Sequence, residues 1–255
     1  MFGLQIIIDG IWQAGKQGLY YPPEWKGKLS VDDGYRVQLG LLKYHEREGQ
    51  QQVGWKVGLT APAIREQIGF HEPVFGYLLS GGAKPSASTF RMAELIAPSF
   101  ETEICLTLSE RLQGPGVTAA QARRAIGAAA PAFELVERRG DFAADFPLAL
   151  ADNVQQKYFV TGAAMQLPPD LSLPAVSVEV AVNGKPRDRA TGAEVMGDPA
   201  ASVAWLANRL AAFGQALEAG MQVMSGSLVR QYALAAGDRI EARFDPLGTV
   251  TAAFT

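Results

Sequence analysis

The acidic residues between positions 101 and 134 form a pattern that could hold a cation. In "APSFETEICLTL", residues 97–108, the side chains alternate as they would along a strand. Phe100, Ile104, Leu106 and Leu108 share one face, and Glu101, Glu103, Cys105 and Thr107 share the other. Two carboxylates two residues apart on one face repel each other unless water, a Lys or Arg, or a metal ion compensates. Glu134, in "APAFELVERRG", follows an apolar run that reads as interior, where an unpaired glutamate is rare. Three glutamates without His or Cys make a hard, all-oxygen donor set, suited to Mg²⁺ or Mn²⁺ and not to zinc. Solvated glutamates on an open sheet face would explain the same residues, and both accounts stand at this level.

Other residues carry chemistry less specifically. Lys56 sits in the strand-like "GWKVGLT"; facing inward it could bind a carboxylate or transfer protons, and facing outward it is a surface cation. Asp152 and Asn153, in "ALADNVQQKYF", have the composition of a turn. Ser225, Gly226 and Ser227 follow a short apolar strand, where Gly226 could let a ligand approach the backbone or mark a bulge. Cys105 is the only cysteine, which excludes an intrachain disulfide and a Cys-rich zinc site, and its default reading is a small buried hydrophobe. His45, near a helix end, and His71, in a loop, are the only histidines and read as surface residues. So few histidines leave little material for zinc hydrolysis or a Ser-His-Asp triad.

The elements around these residues read as mixed α+β. Ser30 and Asp33 form a capping box for a helix that ends near Gly49. "GPGVTAAQARRAIGAAA" offers a second helix with Thr118 and Gln121 as its box, and "GDPAASVAWLANRLAAFG" a third with Asp198 as N-cap and Pro199 at the first position. "WKVGLT", "ETEICLTL", "AFELVE", "VSVEVAVNG" and "QVMSGSLV" read as strands. Hairpins are expected at Asn183-Gly184 and around Asp245, Pro246 and Gly248. Strands outnumber helices without alternating with them, which favours a largely antiparallel or mixed, barrel-like sheet over a doubly wound one. The chain has 255 residues, 48% hydrophobic and 19% charged, with a net charge of -3. It can therefore bury a large core, and it lacks the basic footprint of a nucleic-acid binder. No signal peptide or membrane-length apolar run is read, so a cytoplasmic location is expected.

Taken in order, "GWKVGLTAPAIREQIGFHEPVFGYLL", "FETEICLTL", "AFELVERRGDF", "ADN", "DPAASVAWLANRLAAFGQALEAGMQVMSGSL" and "GDRIEARFDPLGTVTAAF" resemble the 2-oxo-4-pentenoate hydratase/4-oxalocrotonate decarboxylase family of the fumarylacetoacetase superfamily. The resemblance covers residues 30 to 255, and its specificity lies in the ordered combination of motifs. It implies a fumarylacetoacetase-like catalytic core over residues 51–255 behind an N-terminal helical segment, residues 1–50. By the same resemblance Glu101, Glu103 and Glu134 match metal-binding glutamates for Mg²⁺ or Mn²⁺. Lys56 and Asp152 match catalytic positions, and Arg139, Ser225 and Gly226 match substrate-binding ones. The chain departs from the pattern in three places. Val74 stands in "PVFG" where hydratases often carry aspartate, Val154-Gln155-Gln156-Lys157 replaces small residues after "ADN", and Glu137-Arg138-Arg139 stands for "D-S-R".

The implied activity is hydration of a 2-hydroxy-2,4-dienoate in the breakdown of aromatic ring-fission products. Decarboxylation of a 2-oxo-3-enedioate and C–C hydrolysis of an acylpyruvate are the alternatives on such a site. A 2-oxo acid offers carboxylate and keto oxygens that chelate Mg²⁺, a Lewis acid that favours electron flow toward C2 in either lyase reaction. The implied partners are a small 2-oxo acid, other copies of the chain and an associated pathway enzyme, with no nucleic acid and no membrane. A catalytically weak subunit that stabilises such an enzyme is the competing non-catalytic reading.

Overall fold

Glu101 and Glu134 face each other across two long strands. In the computed structural model, which describes residues 2–62, 65–66 and 69–255, β5 (Pro98–Leu108) pairs antiparallel with β6 (Ile126–Glu137) along nearly its whole length. Met1 and, within the "TAPAIREQIG" run, Ala63, Ile64, Gln67 and Ile68 lie outside the described residues.

The sheet grows outward from this pair. On one side β11 (Gln222–Ser227) runs antiparallel to β5, β1 (Gln52–Gly58) parallel to β11, and β2 (Val74–Leu79) antiparallel to β1. On the other, β7 (Gln156–Thr161) pairs antiparallel with β6, and β3 (Ala83–Pro85) parallel with β7. Two short strands, β8 (Met165–Gln166) on β6 and β12 (Tyr232–Ala233) on β5, complete this sheet. A second sheet has the order β10 (Lys185–Thr191), β9 (Ser177–Val182), β13 (Arg239–Asp245), β14 (Gly248–Phe254) and β4 (Ser88–Phe90). Its hairpins turn at Asn183-Gly184 and at Pro246-Leu247, as the turn residues predict. One hydrophobic core runs through both sheets: Phe100, Phe133 and Leu135 belong to the same cluster as Val178, Val250 and Phe254. The fold is mixed α+β with a mostly antiparallel, curled sheet.

The central strands are covered on both faces. Phe100, Ile104 and Leu106 enter the main core, while Cys105, Ala130, Ala132, Phe159 and Met224 form a separate apolar cluster. An open, solvated sheet face around the glutamates is therefore excluded, and Glu103 and Glu134 are both fully buried.

The helices fix the sheet's edge. α1 (Phe2–Lys16) lies against α2 (Val31–Arg47), whose Ser30–Asp33 capping box is formed on both sides. α3 (Ala119–Ala125) has the expected Thr118–Gln121 box but stops at Ala125. The helix expected through "IGAAA" is a correction: those residues open β6. Alanine favours helix by local propensity, but here it fills a strand whose two faces are too crowded for larger side chains. α4 (Phe146–Ala151) is capped by Asp145 and α5 (Pro199–Ala211) by Asp198. From α2, the buried Gln38 donates to Phe75 O (3.1 Å) on β2 and Leu150 O (2.8 Å) on α4. That one amide ties together the two elements flanking the site.

Candidate active site

β5 presents Glu101 and Glu103, and the β5–β6 register sets Glu134 directly opposite Glu101. One oxygen from each carboxylate lies within 4.8 Å of the others. Lys56 arrives from β1, where its neighbours Trp55 and Val57 are fully buried. Its Nζ lies 3.2 Å from Glu134 Oε1, and the lysine side chain is 3% exposed. Of its two candidate orientations Lys56 takes the inward one.

Gly226 completes the floor. The β11 register slips between the Met224–Cys105 and Ser227–Glu103 pairs, so Ser225 and Gly226 form a bulge beside Glu103. This turns the Gly226 N–H toward Glu103 Oε2, to which it donates at 2.7 Å. Gly226 has φ +116°, and a Cβ there would meet Thr60 Cγ2 at 2.4 Å. Both facts require glycine. Ser225 Oγ is buried beside it with no hydrogen-bond partner.

The charges do not balance. Glu103 Oε1 and Glu134 Oε2 have no polar partner and Glu134 Oε1 has only the Lys56 ammonium, although buried polar atoms are almost always hydrogen-bonded. Burial pushes Glu101 up to about 7, with Glu134 adding to the rise and Lys56 opposing it. Glu103 is pushed well above the usual carboxylate range by burial and then by Glu134 and Glu101. Burial disfavours charge on Lys56, but Glu134, Glu101 and Glu103 outweigh it and raise its pKa. Fully ionised, three carboxylates around one ammonium would leave two negative charges without a partner; burial and that imbalance are why Glu101 and Glu103 hold their protons so readily without a further cation. A divalent cation is the size of that deficit, and the oxygens without partners are the donors such an ion takes. The residues present fit it.

Arg139 and Asp152 belong to a different cluster. Arg139 Nε donates to both Asp152 oxygens (3.0 and 2.8 Å), its Nη1 to Glu137 Oε2 (3.0 Å) and its Nη2 to Asp152 O (3.0 Å). Lys157 Nζ lies 3.6 Å from Glu137 Oε2, and Glu137 Oε1 accepts from Ile96 N. Burial pushes Asp152 up to about 6 against the pull of Arg139. Arg139, Asp152 and Lys157 of this cluster line a cavity of about 540 Å³ between α1, α2 and the segment after α4, together with Tyr20, His45 and Tyr77. His45 is a second correction: it is half-buried there, edge-on to Trp12 at 4.9 Å.

The structure thus brings Glu101, Glu103, Glu134, Lys56 and Gly226 together, with Ser225 in the same bulge, and joins Asp152 and Arg139 to each other. The sequence pointed to a turn at Asp152-Asn153; what it missed is that turn's conformation and how it is held. Asn153, Val154 and Gln155 have φ of 52°, 54° and 61°, three consecutive residues in the left-handed region. For a β-branched valine this costs on the order of 1–3 kcal/mol. The turn is held by Asn153, whose amide exchanges hydrogen bonds with Tyr77 N and O (2.8 and 3.0 Å). Gln155 Nε2 donates to Tyr21 Oη and Gly140 O, each at 3.0 Å. The turn-like Asp152-Asn153 pair and the departure from small residues at 154–157 were the sequence signals pointing there.

Comparison with known proteins gives a consistent picture. The profile of the fumarylacetoacetate (FAA) hydrolase C-terminal family matches residues 72–255. The chain is 36% identical over 231 residues to a 2-hydroxyhexa-2,4-dienoate hydratase of Comamonas testosteroni, covering 89% of this chain and 88% of the relative. It is 34% identical to a 4-oxalocrotonate decarboxylase of Pseudomonas sp. strain CF600, covering 89% and 86%. The solved 4-oxalocrotonate decarboxylase from Pseudomonas putida G7, complexed with magnesium and adipate, superposes with a TM-score of 0.92 at 30% identity, over 99% of this chain and 97% of that one.

Proposed function

The chain belongs to the fumarylacetoacetate (FAA) hydrolase C-terminal family, and within it we propose a metal-dependent hydratase that converts a 2-hydroxy-2,4-dienoate, the enol of a 2-oxo-4-enoate, to a 4-hydroxy-2-oxo acid. The observation that carries this reading is the buried cluster of Glu101, Glu103 and Glu134, whose excess negative charge and unpartnered oxygens call for a divalent cation. Glu101, Glu103 and Glu134 would hold Mg²⁺ or Mn²⁺, which when bound supplies a Lewis acid for the carboxylate and keto oxygens of a 2-oxo acid. Relatives named as hydratases and decarboxylases, and a decarboxylase complexed with magnesium, support the same reaction class.

The chain's own residues have distinct parts in this reading. Gly226 N–H fixes one Glu103 oxygen and leaves the other for a ligand. Lys56, charged and buried beside Glu134, neutralises the substrate carboxylate or carries the proton to and from the carbon chain. Ser225 Oγ, without a partner of its own, can donate to a substrate oxygen. Asp152 and Arg139 act by holding the 153–155 turn in place, since each spends its hydrogen bonds on the other or on neighbouring groups.

One observation favours decarboxylation of a 2-oxo-3-enedioate as the second reading. Position 74 carries a fully buried valine where a hydratase often has a carboxyl group to move protons. The test is a product assay with Mg²⁺ on both substrate types. The lead reading expects a 4-hydroxy-2-oxo acid from the dienoate and no CO₂ from the enedioate; CO₂ release without hydration would replace it with the second.

The wider reading is a cytoplasmic homo-oligomer whose residues 51–255 form one catalytic unit, with residues 1–50 packed against it. No helix among the described residues is long and apolar enough to cross a membrane. Light scattering on the purified chain tests the assembly.

A further inference from the structure

Lys56 shares its surroundings with two valines. A methyl group placed on the Cα of Gly58 would lie 3.2 Å from Val74 Cγ2, 3.4 Å from Lys56 Nζ and 3.9 Å from Val154 Cγ1. The ammonium and two valine side chains therefore face one small volume, kept open because residue 58 is glycine. Val74 is fully buried and Val154 nearly so. Val74 comes to this point by pairing with Gly58 across β1 and β2. Val154 comes to it only through the left-handed turn, which Asn153 clamps to Tyr77 and Gln155 clamps to Tyr21 and Gly140.

A strained β-branched residue held by this many contacts is over-determined, and such positions cluster at ligand clamps. The two valines make an apolar corner next to the Lys56 ammonium. A second carboxylate entering that corner would lose its water and meet methyl groups. The Lys56 ammonium faces Glu134, with Glu101 and Glu103 close behind, and in the reading above it serves the 2-oxo acid's own carboxylate or its proton transfer, not a second carboxylate. A hydrocarbon end would lose nothing of the kind.

We propose that Val74 and Val154 set the distal specificity of the site, admitting a 2-oxo acid whose far end is hydrocarbon and rejecting one that ends in a second carboxylate. This rests on the reading above, in which the 2-oxo acid end is held at the three glutamates and the chain extends past Lys56.

Two unreactive probes of equal length test it: 2-oxohexanoate, ending in a methyl group, and 2-oxoadipate, ending in a carboxylate. Binding to the Mg²⁺-loaded full chain is measured by titration calorimetry. The wild type should bind 2-oxohexanoate at least about tenfold more tightly, the discrimination an apolar pocket ordinarily gives. Val154→Thr keeps the shape and exchanges one methyl for a hydroxyl, and should reduce that ratio. Val154→Gly suits φ 54°, so the fold should survive; it should bring the ratio near parity and admit a longer 2-oxo acid such as 2-oxodecanoate. Equal binding of the two probes by the wild type, or a ratio unchanged in both variants, would overturn the assignment of these valines and leave the 2-oxo acid reading intact. Binding of neither probe in the presence of Mg²⁺ would overturn that reading and this proposal together.

Discussion

Two buried clusters of charge lie in this protein, and they are built on opposite principles. Around Arg139, every carboxylate has a cation or a backbone N–H: Asp152 takes two hydrogen bonds from one guanidinium, and Glu137 is shared among Arg139, Lys157 and Ile96 N. Around Lys56, three carboxylates have one ammonium and one backbone N–H between them. Both clusters are made of the same residue types at similar depth. The closed one meets its own electrostatic needs and can serve as a joint; the open one is stable as drawn only if something else brings positive charge. Burial of acidic residues is therefore no guide to function by itself, whereas burial without partners is.

The sharpest way to break this contrast is to remove charge from the open cluster. Glu101→Gln or Glu103→Gln deletes one of three anionic ligands, and kcat should fall by more than about a hundredfold, the most that disturbing a ligand's own partner ordinarily costs, with Mg²⁺ affinity falling in parallel. EDTA should abolish turnover and Mg²⁺ or Mn²⁺ restore it. Full activity in a preparation shown to be metal-free would remove the distinction between the clusters. Because these carboxylates repel each other, the metal-free Gln variants should keep or gain thermal stability.

The closed cluster should answer in the opposite currency. Arg139→Met leaves Asp152 and Glu137 buried without their main cation, which costs about 3–5 kcal/mol. Urea unfolding should register that loss, while kcat per folded molecule falls only as far as the 153–155 turn loosens. A variant that unfolds normally but has lost kcat a hundredfold would move Arg139 back among the residues that touch substrate.

Lys56 tests whether the open cluster does more than hold an ion. Lys56→Met keeps most of the side-chain volume and removes the charge, so kcat/KM should drop by about a hundredfold with the fold intact. A drop of less than a few-fold would reduce Lys56 to a counter-ion of Glu134.

The two clusters were not equally legible in the sequence. Strand alternation is local, so the shared face of Glu101 and Glu103 could be read directly; that Glu134 joins them depends on the β5–β6 register and came only from the family resemblance. The inward face of Lys56 could not be read, since Trp55 and Val57 on the other face are buried too and alternation carries no sign when both sides of a sheet are covered. The Ala125–Ile126 boundary was invisible for a related reason: alanines favour helix until a partner strand claims them. The pairing of Arg139 with Asp152 depends on a turn of left-handed residues that no valine or glutamine announces. Where local preference and tertiary packing agreed, as at the Ser30, Thr118 and Asp198 caps, the elements could be read directly.

The smallest effect belongs to His45, which lines the cavity beside the closed cluster. Burial lowers its pKa, with Glu48 only partly opposing the shift. Its ring sits between Trp12 of α1 and Tyr77 of β2, at 4.9 and 5.9 Å. A group whose pKa is lower folded than unfolded binds its proton more readily in the unfolded chain. Its contribution to stability is then complete above the unfolded value of about 6.5 and is lost as pH falls below it. Unfolding measured from pH 7.5 down to 5.5 should show a modest decline that His45→Gln flattens. If this side of the molecule is only a joint, kcat/KM for His45→Gln should follow the wild-type pH profile throughout. A kinetic pH limb that disappears with His45 would instead tie the cavity to the chemistry and erase the line drawn here between the two clusters.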